Sequence, residues 1–328
     1  MIRLNNISKS FKVAKRAAGL GSAFKSLFRR SYTYVQALQD ISFTIEPGEI
    51  VGYIGPNGAG KSTTIKIMSG ILVPDEGSCT IMGYTPWKNR LEYVKRIGVV
   101  FGQRSQLWWD VPVIDSFELL RDIYNIPQRA YRDNVDLLTQ TLDLGGILHT
   151  PVRQLSLGQR MRCEIAASLL HGPDILFLDE PTIGLDAVSK IAVRDFIRTI
   201  RREKGVTVIL TTHDMHDIEA LADRIIMIGR GRILLDGKLE EIRSRFGGRK
   251  TVRVDFRTAG GMPPKPDVPG VEAGEISHEH MVLHVDTHQC NIADVISRLS
   301  SEAELLDVTV ESQPIEQIIV DLYKEYDL

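Results

Sequence analysis

The sequence predicts an α/β fold followed by a small α+β domain, with a mixed sheet in the first domain that is flanked by helices. Short apolar runs typical of strands alternate with helical stretches as far as about residue 230. A segment rich in Gly and Pro, residues 247–269, then separates this series from a shorter one. At 328 residues the chain is long for one compact domain, so two domains are expected.

Five of the runs are apolar along their whole length. This pattern indicates strands that are buried on both faces, as in a parallel sheet with helices on each side. Residues 87–171 have a mostly helical pattern, which we interpret as a helical subdomain. The predicted strands are residues 50–55, 96–101, 175–180, 207–212 and 224–229, and the helices of the subdomain are predicted near 113–124, 128–142 and 158–171.

The two predicted domains, residues 1–246 and 247–328, differ in charge. Residues 9–39 contain seven Lys/Arg and no acid, whereas residues 249–328 contain fifteen Asp/Glu against seven Lys/Arg. The net charge of the whole chain is only −2, so it has no general attraction for nucleic acid, and no nucleic-acid partner is expected. In the second domain, a helix predicted near residues 291–300, together with the segments 281–286, 305–312 and 315–323, suggests a small α+β domain.

The three cysteines, Cys79, Cys163 and Cys290, are far apart and form no CxxC pair. They therefore predict a protein of the reducing cytosol and not a disulfide framework. The N-terminal sequence is too polar for a signal peptide, and no run reaches the roughly 18 apolar residues of a membrane-spanning helix. We therefore expect any role at a membrane to come through a separate partner.

Residues 55–62 have the pattern GxxxxGKS between a predicted strand and a predicted helix, which indicates a phosphate-binding loop. Its glycines let backbone N–H groups curl around phosphates, and the helix N-terminus adds partial positive charge. The ammonium of Lys61 can reach the β- and γ-phosphates, and the hydroxyl of Ser62 can ligate Mg²⁺. The predicted nucleotide-binding residues of this segment are Gly55, Pro56, Asn57, Gly58, Ala59, Gly60, Lys61, Ser62 and Thr63.

Two adjacent carboxylates, Asp179 and Glu180, follow the buried strand predicted at residues 175–180. Acids at a strand end are common in solvated turns, but in a chain with a phosphate-binding loop they favour a catalytic function. We predict that Asp179 binds in the Mg²⁺ shell. Glu180, on the opposite side of the strand end, is predicted to polarise the attacking water.

Residues 155–160, LSLGQR, precede a predicted helix and then the acidic strand. In this order and at this distance they resemble the signature motif of the ABC ATPases, which is usually LSGGQ. Gln103 stands where the family has its Q-loop glutamine, Asp186 lies in a segment that resembles the D-loop, and His213 resembles the switch histidine. Together the motifs identify residues 1 to about 240 as similar to an ABC ATPase domain, with its β-rich N-terminal subdomain.

The resemblance implies that ATP and Mg²⁺ are sandwiched between two subunits, the phosphate-binding loop of one facing the signature of the other. The second subunit is a copy of this chain or a sister ATPase. Gln103 is then expected at the metal and in catalysis, together with Glu180 and His213. The residues expected to contact nucleotide across the dimer are Leu155, Ser156, Gly158, Gln159 and Asp186.

One position departs from the family pattern, because residue 157 is Leu where Gly is usual. The family's contacts come from the serine hydroxyl and from the backbone at the helix start, so Ser156 and Gly158 should still serve. A leucine also implies that residue 157 avoids a positive φ. We therefore expect the substitution to be tolerated.

An insertion, residues 12–33, distinguishes the chain from a minimal domain of the family. Leu20, Phe24, Leu27 and Phe28 share one helical face opposite basic residues, which predicts a short amphipathic helix. This helix either lies on a membrane surface or packs on its own domain. Just before the insertion, Phe11 matches the aromatic that stacks on adenine in the family, with Tyr32 and Tyr34 as alternatives.

The resemblance further implies that hydrolysis powers a separate integral-membrane permease at the cytoplasmic face of the cell membrane. Trp108 and Trp109 fall in the region that receives a permease helix in the family. The ending at residues 314–323 resembles ATPases paired with ABC-2-type permeases, which favours export. A soluble ABC protein of DNA repair or translation is the alternative, but the chain has neither a long coiled coil nor a second ATPase unit. The acidic C-terminal domain leaves an additional regulatory role open.

Overall fold

A computed structural model describes residues 1–14, 32–102, 104–257 and 268–326. The chain forms two compact units, Met1–Gly237 and Lys238–Leu328. The helices and strands that follow are those of the described residues, numbered along the chain. Among them, no helix is both long enough and apolar enough to cross a membrane.

The first unit begins with an antiparallel sheet of three strands, in the order β2-β1-β4. Its strands are β1 (Ile2–Ala14), β2 (Tyr32–Ile45) and β4 (Glu76–Ile81). The pairing of β1 with β2 continues to Ala14 and Tyr32, and the Lys12 ammonium lies 3.9 Å from the centre of the Tyr32 ring. Strand pairing therefore extends into both ends of the insertion predicted at residues 12–33. The predicted amphipathic helix, with Phe24 and Phe28, lies outside the described residues.

The second sheet of this unit contains the five predicted apolar strands, which confirms the predicted fold class. They are β3 (Ile50–Ile54), β5 (Ile97–Phe101), β6 (Ile175–Asp179), β7 (Thr207–Thr211) and β8 (Arg224–Gly229). With a sixth strand, β9 (Arg232–Lys238), they lie in the order β5-β6-β7-β3-β8-β9. The first five are paired in parallel. Residues 230 and 231 have positive φ angles of 47° and 76°, as in the tight turn of a hairpin, and reverse the chain into β9.

Helices surround the six-stranded sheet. Within the predicted helical subdomain, residues 97–101 belong to this sheet, so the helical part proper starts at Val113. The helices, with the one that opens the second unit, are α1 (Lys61–Met68), α2 (Arg90–Val94), α3 (Val113–Tyr124), α4 (Gln128–Thr141), α5 (Leu157–Leu169), α6 (Ala187–Lys204), α7 (Met215–Leu221) and α8 (Leu239–Phe246).

The second unit contains an antiparallel sheet in the order β11-β12-β10-β13. One face of it packs around Val252, Val254 and Phe256 together with Val295 and Leu299 of helix α9. The elements of this unit after α8 are β10 (Arg249–Arg257), β11 (Val271–Ile276), β12 (His280–Asp286), α9 (Ile292–Glu302), β13 (Glu304–Ser312) and α10 (Ile315–Glu325).

Two expectations about the second unit need correction. Residues 247–269 were predicted to be a linker or irregular loops, yet residues 249–257 form β10, an inner strand of the sheet, because its alternating apolar residues fill the core. The division between the units lies at Lys238 and not after residue 246, since α8 packs with α10. At this contact, a Cβ atom on Gly247 would lie 3.3 Å from Ile318.

The sheet of the second unit gives a stability prediction. Phe256 is buried, and Phe256→Ala should destabilise this unit by about 3–5 kcal/mol, since it leaves a cavity in the core. Arg257→Ala is the matched control, because the next side chain on the strand is exposed and its ion pair with Glu304 is exposed too. Native-state hydrogen exchange of the β10 amides measures both variants. Equal protection in the two would contradict this account of the core.

Candidate nucleotide-binding site

The candidate site lies where the parallel strands end. Their carboxyl ends meet at one edge of the sheet, and hydrogen bonds join the segments that leave it. The amide of Gly102, after β5, donates to the carbonyl of Asp179 at 2.8 Å. The amide of Glu180, after β6, donates to the carbonyl of Thr211 at 2.9 Å. The sheet therefore brings together segments that are far apart in the sequence.

The phosphate-binding loop connects β3 to α1. The Nζ of Lys61 donates to the carbonyl oxygens of Gly55 and Pro56, at 2.6 and 3.2 Å, so the side chain folds back over the loop. Gly60 has a φ of 115°, and a Cβ atom there would lie 2.8 Å from the carbonyl oxygen of Ala37. Only glycine fits this close approach of the loop to β2.

Lys61 is buried beside the two acids. Burial lowers the pKa of its ammonium group, and the carboxylates of Glu180 and Asp179 oppose this shift. The charged form of Lys61 is thus held by negative charge at the end of β6. A phosphate would provide a further negative partner at the same place.

Asp179 faces the start of α1. One of its carboxylate oxygens accepts a hydrogen bond from the Ser62 hydroxyl at 3.4 Å, and the other accepts one from the Thr211 hydroxyl. A hydroxyl and a carboxylate are hard oxygen ligands, so this pair fits Mg²⁺. Gln103, predicted at the metal and in catalysis, lies outside the described residues.

Glu180 contacts the predicted switch histidine. Its carboxylate Oε1 lies 2.8 Å from Nε2 of His213. The backbone of Glu180 has a φ of 58°, the left-handed conformation that non-glycine residues seldom adopt. Such strain is common at functional sites, where surrounding contacts maintain it. The backbone conformation of Glu180 has no signal in the sequence.

The phosphate-binding loop and the two acids border a cleft of about 520 Å³, which is within the range of small-molecule sites. The predicted loop residues from Pro56 to Thr63 line it, together with Asp179 and Glu180. Sequence reasoning missed five further lining residues. Their signal was weak, although Arg104 directly follows the predicted Gln103. The five are Lys66, Ile71, Phe101, Gly102 and Arg104.

The signature segment forms the start of α5. The hydroxyl of Ser156 accepts a hydrogen bond from the amide of Gln159, and the Gln159 side chain accepts one from the amide of Ser156. This reciprocal capping box fixes the helix N-terminus. The signature residues do not line the cleft formed by the described residues of their own chain.

The Leu157 departure is accommodated within this segment. Leu157 is the first helical residue and is not among the residues with positive φ, which confirms that expectation. Its side chain covers Gly184, where a Cβ atom would lie 2.4 Å from the leucine Cδ2. A Cβ atom on Gly158 would lie 2.9 Å from the Ser189 hydroxyl. The signature thus packs on the D-loop segment of its own chain.

Asp186, predicted to contact nucleotide, caps the N-terminus of α6. Its carboxylate accepts hydrogen bonds from the amide and the hydroxyl of Ser189, at 2.8 and 3.2 Å. The hydrogen bond from the Ser189 amide is the main cause that lowers the pKa of Asp186, and the hydroxyl bond adds to it. The charged carboxylate is thereby held at the surface that carries the signature.

The candidates for adenine stacking lie on the strands β1 and β2. Phe11 pairs with Val35, close to the residues of β2 that touch Gly60. Tyr34 is 69% exposed and Tyr32 43% exposed. None of the three belongs to the lining of the described cleft. Of the three, Phe11 is paired at the position of β2 that lies closest along the strand to the residues contacting Gly60.

A buried ion pair lies behind the catalytic segments. The carboxylate of Asp217, fully buried on α7, accepts from Arg194 on α6 at 2.6 Å. It also accepts hydrogen bonds from the hydroxyls of Thr182 and Thr212. One threonine follows Glu180 and the other precedes His213, so Asp217 fixes the spacing of that pair. Sequence reasoning found no signal for this contact.

Comparison with known sequences identifies relatives of this chain. The profile of the family described as "ABC transporter" matches residues 38–183. The "ABC transporter ATP-binding protein NatA" of Bacillus subtilis is 34% identical over 66% of this chain and 87% of its own length. The "Fluoroquinolones export ATP-binding protein" of Mycobacterium tuberculosis is 35% identical over 87% of this chain and 90% of its own length. The chain spans only 29% of the length of "ABC transporter A family member 1" of Dictyostelium discoideum, at 31% identity.

Solved structures share the fold of the first unit. An ATP-binding subunit of an ABC transporter superposes with a TM-score of 0.62 and 25% identity, over 75% of this chain and 93% of that one. A dimeric ATP-binding cassette in a post-hydrolysis state, bound to ADP and Pi, superposes with a TM-score of 0.61 and 27% identity. That match covers 73% of this chain and 99% of the other.

The buried ion pair gives a second stability prediction. Asp217→Ala should destabilise the first unit by about 3–5 kcal/mol, because it removes the buried carboxylate that pairs with Arg194 and leaves the buried hydroxyls of Thr182 and Thr212 without their acceptor. Asp195→Ala, which removes an exposed partner of Arg198, should cost less than about 1 kcal/mol. Urea unfolding followed by tryptophan fluorescence measures this unit alone, since all three tryptophans lie in it. A similar loss in both variants would contradict the assignment.

Proposed function

The chain belongs to the family of ABC transporter ATP-binding proteins, and from this membership we propose that it hydrolyses ATP at a site shared by two ATPase subunits and so powers the export of a substrate through a separate permease. The observation that carries the proposal is the contact of 2.8 Å between Glu180 and His213 beside the cleft of the phosphate-binding loop. This contact places the proposed base, Glu180, and the histidine that orients it beside a loop that suits the binding of phosphates.

The phosphate chain of ATP binds along the loop between β3 and α1. Backbone N–H groups of residues 57–62 and the N-terminus of α1 hold the phosphate oxygens, because this end of a helix is partially positive. Lys61 exchanges its carbonyl acceptors for the β- and γ-phosphates. We assign adenine stacking to Phe11, with Tyr32 and Tyr34 as alternatives on the neighbouring strand.

Ser62 and Asp179 hold the magnesium ion, with Gln103 as a further ligand. The support for this assignment is the hydroxyl-carboxylate pair at the end of β6. When bound, Mg²⁺ supplies positive charge against the phosphates. Thr211 keeps Asp179 oriented through its hydroxyl, so that the other carboxylate oxygen stays turned towards Ser62.

Glu180 is the general base. Its carboxylate accepts a proton from the water that attacks the γ-phosphorus, and it contacts His213 while the carboxylate of Asp179 contacts Ser62. His213 donates a hydrogen bond that fixes the orientation of this carboxylate. The two adjacent acids thus have separate functions, one at the metal and one at the water.

The second half of the site comes from another subunit. The signature segment lies outside the described cleft, and its helix start is capped and oriented by Ser156 and Gln159. We propose that Ser156 and Asp186 of one subunit face the nucleotide of the other. The dimeric form of the related cassette bound to ADP and Pi supports this arrangement.

The membrane partner binds near Trp108 and Trp109. Their side chains are 41% and 52% exposed, so both are accessible as anchors for a partner helix. We propose that this partner is an integral-membrane permease and that the chain works at the cytoplasmic face of the membrane. The relative named for fluoroquinolone export supports the export direction.

The first enzymatic prediction concerns the base. Glu180→Gln keeps the size of the side chain but cannot accept the proton, so Mg²⁺-dependent ATP hydrolysis should fall by a factor of about 10²–10⁴. ATP binding should persist, since the loop between β3 and α1 is unchanged. Glu203→Gln, at the exposed end of α6, serves as the control and should keep wild-type turnover. Undiminished turnover in Glu180→Gln would refute the assignment of the base.

The second enzymatic prediction concerns the shared site. Lys61→Ala and Ser156→Arg damage opposite halves, so a mixed dimer has one intact site and one doubly damaged site. An equal mixture should recover about a quarter of wild-type ATPase activity, because half of the dimers are mixed and each keeps one of two sites. Mixing two preparations of the same variant gives no recovery. If the unlike mixture also stays inactive, the two halves do not combine into independent shared sites.

A further inference from the structure

Glu164 is a buried carboxylate without a function in the proposed mechanism. It lies on the signature helix α5, and only 5% of the residue is exposed. One carboxylate oxygen accepts a hydrogen bond from the Ser105 hydroxyl, and the other accepts from the Gln106 amide at 3.1 Å. The Gln106 side chain returns to the helix and donates to the Glu164 carbonyl at 2.8 Å. Three hydrogen bonds therefore join one residue of α5 to two consecutive residues of the loop.

The segment held by Glu164, residues 105–107, connects the cleft to the exposed tryptophans. On one side, the Arg104 amide donates to the carbonyl of Phe101 at 3.0 Å, and both residues line the cleft. On the other side, Trp108 and Trp109 follow directly. The segment is also closed on itself, because the Ser105 hydroxyl contacts the amide and the carbonyl of Leu107. A short, hydrogen-bonded piece of chain thus links two functional surfaces.

A second contact joins the same helix to the far end of the segment. The guanidinium of Arg160 lies 5.7 Å from the centre of the Trp109 ring. Arg160 is one helical turn before Glu164, so the two side chains leave α5 on the same face. The helix therefore holds the loop at Ser105 and at Trp109.

The chemistry of the Glu164 contact favours a positioning role. Burial raises the pKa of its carboxyl group, and the hydrogen bonds from Ser105, Gln106 and Leu107 oppose this shift. Burying a carboxylate is costly, whereas an apolar side chain would fill the same place at no electrostatic cost. What the carboxylate adds is a fixed geometry for the loop, since its two oxygens accept from two defined donors.

We propose that Glu164 is the positioning residue that makes the Trp108/Trp109 surface follow the signature helix when nucleotide binds. The inference rests on the proposed function, in which Ser156 at the N-terminus of α5 meets the nucleotide of the other subunit. Movement of α5 then carries the loop with it. Nucleotide binding at the shared site thereby moves the exposed tryptophans to which the membrane partner binds.

The test uses tryptophan emission of the full chain. In the parent variant, Trp87→Phe removes the third tryptophan and Glu180→Gln blocks hydrolysis, so that emission comes from Trp108 and Trp109 with ATP retained. We expect Mg²⁺-ATP to shift the emission of this parent. Adding Glu164→Ala should abolish most of the shift while the affinity for ATP, measured by direct binding, stays that of the parent.

Three further variants separate positioning from folding. Ser105→Ala removes one donor and leaves the helix intact, so it should reduce the shift. Glu164→Gln can still accept from the Gln106 amide and should preserve most of the shift. Arg162→Gln is the matched control on the same helix, because Arg162 bonds to the Leu142 carbonyl at 2.9 Å and not to the loop. It should respond as the parent does.

Hydrogen exchange without nucleotide gives an independent readout. Protection of the Gln106 amide should fall about tenfold or more in Glu164→Ala and stay unchanged in Arg162→Gln, since the lost acceptor is a charged group. Unchanged protection, or a full emission shift in Glu164→Ala, would overturn the proposal. An unresponsive parent that still binds ATP would overturn it as well. In each of these cases ATP binding and the loss of turnover in Glu180→Gln test the proposed function separately.

Discussion

The parallel pairing of β3, β5, β6 and β7 fixes where the described residues of the candidate site lie. Each of these strands ends at the same edge of the sheet. Backbone hydrogen bonds therefore join Gly102 to Asp179, and the residue after Asp179 to Thr211. Because the strands are buried on both faces, a shift in register would disrupt close side-chain packing on both sides of the sheet. The spacing between the acids, the histidine and the phosphate-binding loop is therefore set by the core and not by the loops themselves.

Two neighbouring acids acquire different chemistry from this arrangement. Asp179 ends its strand in an extended conformation and turns to Ser62, whereas Glu180 takes a left-handed backbone that costs about 1–3 kcal/mol. The hydrogen bond from its amide to the Thr211 carbonyl and its contact with His213 offset that cost. The two adjacent side chains thus contact different partners, Ser62 for Asp179 and His213 for Glu180.

The sequence was informative where function depends on local motifs and silent where it depends on contacts between distant segments. The five apolar strands and the glycine-rich loop were predictable, because burial on both faces and a cradle for phosphates each need particular residues in a row. Glu164 meets Gln106, 58 residues away, and no local pattern marks that contact. Strand β10 was missed because Gly and Pro beside it suggested a linker, although Val252, Val254 and Phe256 alternate as an inner strand requires.

The outer position of β13 has a consequence for the behaviour of the protein in a crowded cell. At the edge of the described sheet, its free backbone groups could pair with a strand of another molecule and start aggregation. Glu304, Asp307 and Glu311 lie along this strand, and all three are exposed. Two copies meeting edge to edge would bring these acids together, and the exposed ion pairs of Glu304 with Arg257 and of Glu311 with Arg253 offset part of their charge. Exposed charged side chains along an outer strand disfavour this kind of edge-to-edge association.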